Sequence, residues 1–489
     1  MSSPAHQLLR LIADSLSIVQ QSCTDKGAQL PDLDAPFTPS SEAFRADPSA
    51  AEAANIISAA ALQLAAIFTP PQVSLYHVAG GHFRSAAVRS CLESQPFPQI
   101  YEAKNSYGLH VKDISAKNGQ DPDKLARFLR FLATHHVYRE IEPDIFANNR
   151  ISSVMDTLKP SEEIIADPER KYDGPPRLAA LISHHLDEPF KASAYAWETL
   201  ADPETRHSGD PSKSPFARAL RTTESIWQFL ERPEEQFRRR RFDAAMRGTQ
   251  ALQPADAILH AFDWKCLKPG SVVVDVGGGV GTSAFPIARA FPDLKVVVQD
   301  RHEAIDNGTK LWSTEMPEAL NSGRVRLEGG SSLVIAARSI YRRNLSSVHN
   351  FFNAQPARDT TPAVFLLKQI LHDWADSYSA QILQRLRDAA GPETRLLVVD
   401  SVMPYACHDP AADGIPGAAP RERPRRFLRT TIDPVLVLMA LQMFVVLNAQ
   451  ERTVRQFERV LKSAGWKINM VHRHESDSTF LQSVEAIPI

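Results

Sequence analysis

The stretch Val272-Val273-Val274-Asp275-Val276-Gly277-Gly278-Gly279-Val280-Gly281 constrains the fold more than any other part of the chain. An apolar run that ends on a carboxylate and breaks into glycines reads as a buried strand stopping at a tight turn. Glycine there lets the backbone take φ > 0 and lets a ligand approach without a Cβ in the way. A helix reads from Thr282-Ser283 to Phe291, and Lys295-Val296-Val297-Val298-Gln299-Asp300 is a second apolar run closed by an acid. Strand, glycine turn, helix, strand and acid make the first half of a nucleotide-type βαβ unit. Asp300 is placed to take two ribose hydroxyls.

The turn alone does not choose the cofactor. Gly279-Val280-Gly281-Thr282-Ser283-Ala284 fits the dinucleotide pattern G-x-G-x-x-A, with Asp300 near the expected spacing. Asp275, two residues before the first glycine, can face an ammonium and would repel a pyrophosphate. That favours S-adenosyl-L-methionine (SAM) over a dinucleotide, and so does His372.

Ala363-Val364-Phe365-Leu366-Leu367-Lys368 reads as a buried strand, followed at once by Gln369-Ile370-Leu371-His372-Asp373-Trp374. A helix from about Asp376 to Ala390 and the strand Arg395–Asp400 come next. Asp275, Asp300, His372 and Asp400 thus all fall just past the carboxyl ends of parallel strands, the edge at which open α/β sheets bind ligands. A lone histidine is more often a surface or satisfied core residue. On this edge, among acids, His372 is a candidate base.

At 489 residues the chain has room for two or three domains. A net charge of −2 gives no electrostatic case for nucleic acid. No window approaches the ~20 apolar residues of a membrane span. Val435 to Leu447, interrupted by Gln442, reads as a buried helix. Met1 to Ser17 lacks a charged region followed by a compact apolar one, so no signal peptide is expected. Cys23, Cys91, Cys266 and Cys407 lack metal-ligand spacing and read as reduced thiols of a cytoplasmic protein; no metal is expected.

Before the glycine turn, residues 24–50 read as a linker and Ala51 to Phe68 as an alanine-rich packing helix. Asp121 can cap a helix whose first turn holds Pro122, with Leu125, Phe128, Leu129 and Leu132 on one face. Val137 to Ile141 and Ile145 to Ala147 read as short strands around the Glu142-Pro143-Asp144 turn. Helix, turn, helix and hairpin form a winged-helix pattern, which raises DNA binding as a function. Lys124, Arg127 and Arg130 supply charge, but Asp121 and Asp123 would repel phosphate, so a module packing against another subunit is the preferred reading. Residues 175–250 read as helical, with Phe216, Trp227, Phe229, Phe237 and Phe242 mostly core. The run Arg238 to Arg241 reads as a solvated face.

Asp275 to Gly281, Ile370-Leu371-His372-Asp373-Trp374 and Gln450-Glu451-Arg452-Thr453 occur in this order and together resemble the SAM-dependent O-methyltransferases of the caffeate/flavonoid type, especially their fungal relatives. The resemblance covers about residues 50–470. It implies an α/β fold, with a Rossmann-like SAM-dependent methyltransferase domain preceded by a mainly α winged-helix dimerisation domain. The expected divisions are 1–48 for an N-terminal helix and linker, 49–170 for the dimerisation domain and 171–489 for the catalytic domain. The resemblance further implies a homodimer that moves a methyl group from SAM to a hydroxyl of a small aromatic or polyketide-like metabolite. By the same resemblance His372 is the general base, flanked and oriented by Asp400 and Glu451. Gly277, Asp300, Phe351 and Lys368 contact the cofactor, and Asn350 stands where the family usually has an Asp facing the adenine. Phe242 and Met246 match positions that line the acceptor pocket. The acceptor and its regiochemistry are not legible.

Two features depart from the family pattern. An extra segment, Gly329 to Ser347, carries Arg338, Arg342 and Arg343 and no acid. It reads either as a surface loop with a short helix near Leu333 to Arg342 or as a non-native translated stretch such as an unspliced intron, the second being preferred. Asn350 can accept a hydrogen bond but lacks the charge of an Asp. Ala418 to Thr431, rich in Pro and Arg, reads as a loose loop over the acceptor pocket. These features motivate an alternative function, a catalytically impaired SAM-binding homologue with an interaction role.

Overall fold

Alanine at close helical spacing lets the first two long helices pack side by side. Pro4–Asp25 and Pro48–Phe68 bury Ala50, Ala53 and Ala60 against Leu8, Val19 and Cys23. The structure, a computed structural model, describes residues 3–94, 108–251, 256–330, 350–405, 407, 409–410, 412–418, 434–473 and 482–489. It divides into two units, one built from Met1–Asp202 and Pro215–Gln253, the other from Pro203–Ser214, Pro254–Pro424 and Ile432–Ile489.

In the first unit the stretch expected to be a linker holds a 3₁₀ helix, Pro39–Ala46, whose Phe44 is buried between the two long helices. Pro48–Phe68 also corrects the statement that no window approaches a membrane span: its 21 residues are long and apolar enough by length and composition. Its first half buries Ala50, Ala53, Ile56 and Ala60, whereas its last turns expose Leu62, Ile67 and Phe68.

Beyond it come β1 (Leu109–His110), the helices Val111–Asn118 and Pro122–Ala133, and the hairpin β2 (Arg139–Glu142) and β3 (Ile145–Ala147), with sheet order β1-β3-β2. The Asp121 carboxylate accepts from the Lys124 N–H at 2.9 Å, capping the second helix as its sequence suggests. Leu125, Leu129 and Leu132 enter the core, whereas Phe128 is exposed, because it lies at the edge of the apolar stripe. Arg130 donates to Glu140 and Asp144 of the hairpin, so the acids of the hairpin neutralise the basic residue of this helix.

The helices Leu178–His185 and Gln236–Ala251, expected to belong with the catalytic part, pack on each other in this first unit. Arg241, read as part of a solvated face, is 3% exposed and donates to Asp187 and Glu188. Four successive arginines on a helix must point around its circumference, so one of them faces inward and requires buried acids to compensate it.

The second unit is organised by a seven-stranded sheet in the order β11-β12-β8-β7-β4-β5-β6. β4 (Val272–Val276), β5 (Lys295–Arg301), β6 (Val325–Gly330), β7 (Val364–Lys368) and β8 (Arg395–Asp400) are parallel neighbours. β12 (Gln482–Pro488) runs antiparallel between β8 and β11 (Trp466–His472). A dinucleotide-binding sheet would place a sixth parallel strand at this side; the reversed hairpin departs from that plan. β4 to β8 are buried on both faces, one by Leu371, Ile382, Leu386, Phe457 and Trp466, the other by Trp264, Ile287, Ile305 and Trp312. This explains why their sequences are continuous apolar runs without alternation.

The helix after the glycine turn spans Ala284–Ala290, shorter at both ends than its sequence suggests. The late apolar helix, Pro434–Leu447, buries Met443, Val445, Val446 and Leu447 but exposes Leu438 and Leu441, so it is not buried throughout. Most of the segment Gly329 to Ser347 and of the loop Ala418 to Thr431 lies outside the described residues.

Candidate active site

The chain passes outward from β4 through β5 to β6, then returns to β7 on the other side of β4. The crevice at this switch point is flanked by the two segments that leave β4 and β7, Gly277–Gly281 and Gln369–Trp374. An open α/β sheet binds its ligand at such a place.

Gly277, Gly279 and Gly281 take φ of +72°, +61° and +88°. A Cβ on Gly277 would meet Ile370 Cδ1 at 2.5 Å, and one on Gly278 would meet Asp275 Oδ2 at 2.5 Å. The turn is therefore built to the width of a bare backbone. The Gly279 N–H donates to Asp300 Oδ2 at 2.7 Å, which fixes the acid at the end of β5 against the turn. Asp275 is buried, and its Oδ2 has no hydrogen-bond partner. Burial raises its carboxyl to about 7, against the pull of the Lys368 ammonium. An acidic, orphaned acceptor beneath a glycine cradle, with the carboxylate of Asp300 beside it, fits the ammonium and hydroxyls that SAM presents.

Phe351 sits by the same cradle, its Cε1 4.0 Å from the Cβ position of Gly277, and packs edge-on to Trp374 with centroids 6.0 Å apart. Asn350 is exposed, and its Oδ1 accepts from the Phe352 N–H at 3.0 Å, closing its own turn. At the end of β6, Glu328 is held by two hydrogen bonds from Arg358, at 2.9 and 2.7 Å.

Gln369, with φ of +54°, turns the chain sharply off β7 into a 3₁₀ turn, Leu371–Asp373, that carries His372. Such a backbone in a non-glycine residue costs about 1–3 kcal/mol and is characteristic of functional sites. The imidazole is buried. Its Nδ1 lies 2.7 Å from Glu451 Oε1, and its Nε2 lies 3.5 Å from Asp373 Oδ1. Asp400 is buried nearby, but neither of its oxygens has a hydrogen-bond partner. Burial raises its own carboxyl to about 7, against the pull of the His372 charge. Burial works to lower the His372 pKa, but Glu451, Asp373 and Asp400 outweigh it and raise the imidazole well above the usual histidine range. Burial raises Asp373 to about 6. Asp373, Ile370 and Arg452 have no role in the sequence reading, although each lies next to or within a quoted motif.

Glu451 arrives from another direction. Asn448, with φ of +57°, redirects the chain after Pro434–Leu447. Then β10 (Arg452–Thr453) pairs in parallel with β9 (Val402–Met403), which directly follows β8. That short ladder brings Glu451 and Arg452 to the carboxyl end of the sheet.

Phe242 and Met246 belong to the first unit and share a face of Gln236–Ala251, one turn apart. Phe242 is gripped edge-on by Trp227 and His184, with centroids 5.6 and 5.3 Å away.

The O-methyltransferase domain family matches residues 197–333 and 331–467. The chain is 48% identical to 4-O-methyltransferase 1 of Phanerochaete chrysosporium over 493 aligned residues, covering 100% of each chain. It is 37% identical to an O-methyltransferase of Armillaria gallica, covering 96% of each. Among solved structures it is similar to CalO1, a methyltransferase of calicheamicin biosynthesis in its S-adenosylhomocysteine-bound form, with a TM-score of 0.55 and 21% identity over 86% of this chain and 98% of that one. The nucleotide-type sheet, the cradle fitted to SAM and these likenesses converge: the chain belongs to the family of SAM-dependent small-molecule O-methyltransferases.

Proposed function

We propose that this O-methyltransferase acts on a hydroxyl of a small aromatic or polyketide-like metabolite, with His372 as general base, in a cytoplasmic homodimer. The observation that carries the role of His372 is its Nδ1 contact with Glu451 at 2.7 Å in a buried setting at the ligand-binding edge of the sheet. A relative named for 4-O-methylation, identical at 48%, supports a hydroxyl acceptor.

SAM, when bound, supplies a methyl group on a positively charged sulfur, which the acceptor oxygen displaces as the C–O bond forms and the C–S bond breaks. Gly277, Asp300, Phe351 and Lys368 would hold it, with Asp275 facing its ammonium and Asn350 toward its adenine side. A phenol resembles tyrosine, with a pKa of ~10, so little phenolate exists at neutral pH. With Nδ1–H donated to Glu451, the lone pair of His372 lies on Nε2, the atom that accepts the hydroxyl proton as attack begins. Once protonated, the imidazolium has Glu451 at one nitrogen and Asp373 at the other, with Asp400 adding its charge. On the family resemblance alone, Phe242 and Met246 are proposed to contact the acceptor.

The test combines calorimetric titration with S-adenosylhomocysteine and product analysis by mass spectrometry over a panel of phenols. His372→Ala should keep binding at about one site per chain and lose about 10²–10⁴-fold in turnover. Full turnover in that variant would remove His372 from the mechanism. A second reading, a catalytically impaired SAM-binding homologue, is favoured by one observation: the family match breaks into two pieces that meet at residues 331–333, inside the extra segment. If the full chain binds S-adenosylhomocysteine without methylating any acceptor, and deletion of residues 329–347 restores transfer, that reading holds.

A further inference from the structure

Arg452 is a buried cation whose purpose lies beyond neutralising an acid. Its side chain is 0% exposed. Nη1 donates to the Leu371 carbonyl at 2.6 Å, and Nη2 donates to the Trp374 carbonyl at 2.8 Å and to Ser379 Oγ at 3.0 Å. Nε donates to Asp376 Oδ1 at 3.0 Å. The two carbonyls bracket the turn Leu371–Asp373, so one guanidinium holds the backbone on both sides of His372. The preceding residue, Glu451, holds the imidazole of the same histidine. Consecutive residues, Glu451 just before the short strand β10 and Arg452 at its start, therefore grip His372, one by its ring and one by its backbone.

The site of attachment is itself anchored. Arg452 pairs with Val402 in the β9–β10 ladder, and the Val402 N–H donates to Gln482 Oε1 at 2.7 Å. Asp376, at the start of the helix Asp376–Asp388, also accepts from Gln450 at 2.8 Å and from Arg459 at 2.8 Å. We propose that Arg452 is a positioning residue for methyl transfer, its planar fork fixing the His372 turn at a set distance from the strand that Glu451 leads into. The proposal rests on the reading of His372 as the base.

A guanidinium matches this task for a chemical reason. It offers five N–H donors in one plane, and four acceptors here lie around it. A lysine ammonium keeps the charge but is a compact point with three donors on a differently shaped stem, so it cannot span both carbonyls and the helix start. Loss of the fork leaves the fold's charge count unchanged and lets the His372 turn shift.

Arg452→Lys separates positioning from stability when rates are expressed per S-adenosylhomocysteine-binding site. Turnover per site should fall about 10–100-fold, with cofactor affinity and acceptor KM within about threefold, because displacement of a reacting group by about 1 Å costs about 10²-fold. A double-mutant cycle supplies the second readout. In a His372→Ala background Arg452→Lys should change the residual rate by less than about twofold, since a residue that acts through His372 has nothing left to position. Unchanged turnover per site in Arg452→Lys overturns the proposal, and so does an undiminished effect in the double mutant. Full activity of His372→Ala alone would instead overturn the reading of the base. If Arg452→Lys yields no folded protein, Ser379→Ala removes one acceptor of the fork, together with the hydroxyl's own approach to the Leu371 and Trp374 carbonyls, and leaves Arg452 in place. Its turnover per site should drop about two- to fivefold, as expected of lost buried hydrogen bonding at the turn, and this drop should disappear in the His372→Ala background; no drop, or one that persists there, counts against the proposal.

Discussion

At the scale of single residues, protonation governs the site. His372 must be neutral to accept a proton, yet Glu451, Asp373 and Asp400 favour its charged form. The rate should therefore rise with pH along an acid limb set by this imidazole. Glu451→Gln removes a negative charge from beside the ring and destabilises the imidazolium, so the His372 pKa falls. The acid limb of the pH–rate profile should move to lower pH while the plateau drops; if Glu451 were itself the base, its limb would vanish with the carboxylate instead. Asp275 gives a second prediction. Its carboxyl is raised to about 7 in the free protein, whereas facing a ligand ammonium requires the ionised form. Binding must then depress its pKa and release a proton below neutral pH. Calorimetry with S-adenosylhomocysteine in buffers of different ionisation heat should show about one proton released per site at about pH 6 and nearly none at about pH 8.5, with affinity rising between them. Asp275→Asn should bind more weakly and remove that proton release; unchanged release would assign the proton to another group.

At the scale of elements, the glycine turn is the most demanding piece of geometry. Gly277→Ala places a Cβ at φ of +72° and 2.5 Å from Ile370. The left-handed backbone alone costs about 1–2 kcal/mol, and the displaced Ile370 lies two residues before His372. Affinity for S-adenosylhomocysteine should fall at least about tenfold, the equivalent of about 1.4 kcal/mol, and normal affinity would show that the cradle tolerates a side chain. This turn was legible in the sequence because backbone needs of that kind admit only glycine. The parallel strands were legible because burial on both faces demands unbroken apolar runs. The inward turn of Arg241 was not, since its compensating acids, Asp187 and Glu188, lie more than fifty positions earlier in the chain. Nor was the work of Arg452, because the two acceptors that bracket the His372 turn are backbone carbonyls, which carry no sequence signature. Asp373 escaped notice for a related reason: whether its carboxylate approaches Nε2 depends on the turn that Gln369 starts, not on its place beside His372.

At the scale of the whole molecule, assembly decides whether the apolar surface of the first unit has a purpose. The helices Pro48–Phe68, Pro71–Ala79 and Gly81–Ser94 expose Leu62, Phe68, Leu75, Tyr76, Val78 and Phe83 in succession. Phe68 is 71% and Tyr76 78% exposed. Apolar surface gathered on successive elements, as opposed to scattered singly, marks an interaction site. A second copy of the chain is the occupant that the proposed homodimer requires, and a two-fold interface uses the same patch on both subunits. Light scattering on the wild-type chain at micromolar concentration should give twice the monomer mass of 54.2 kDa. Replacing Phe68 and Tyr76 together by Glu sets like charges against each other across the two-fold and exposes no buried core, so the variant should run as a folded monomer. A monomeric wild type would dismiss the homodimer. A dimer that survives both substitutions would place the interface elsewhere and leave these helices for another partner.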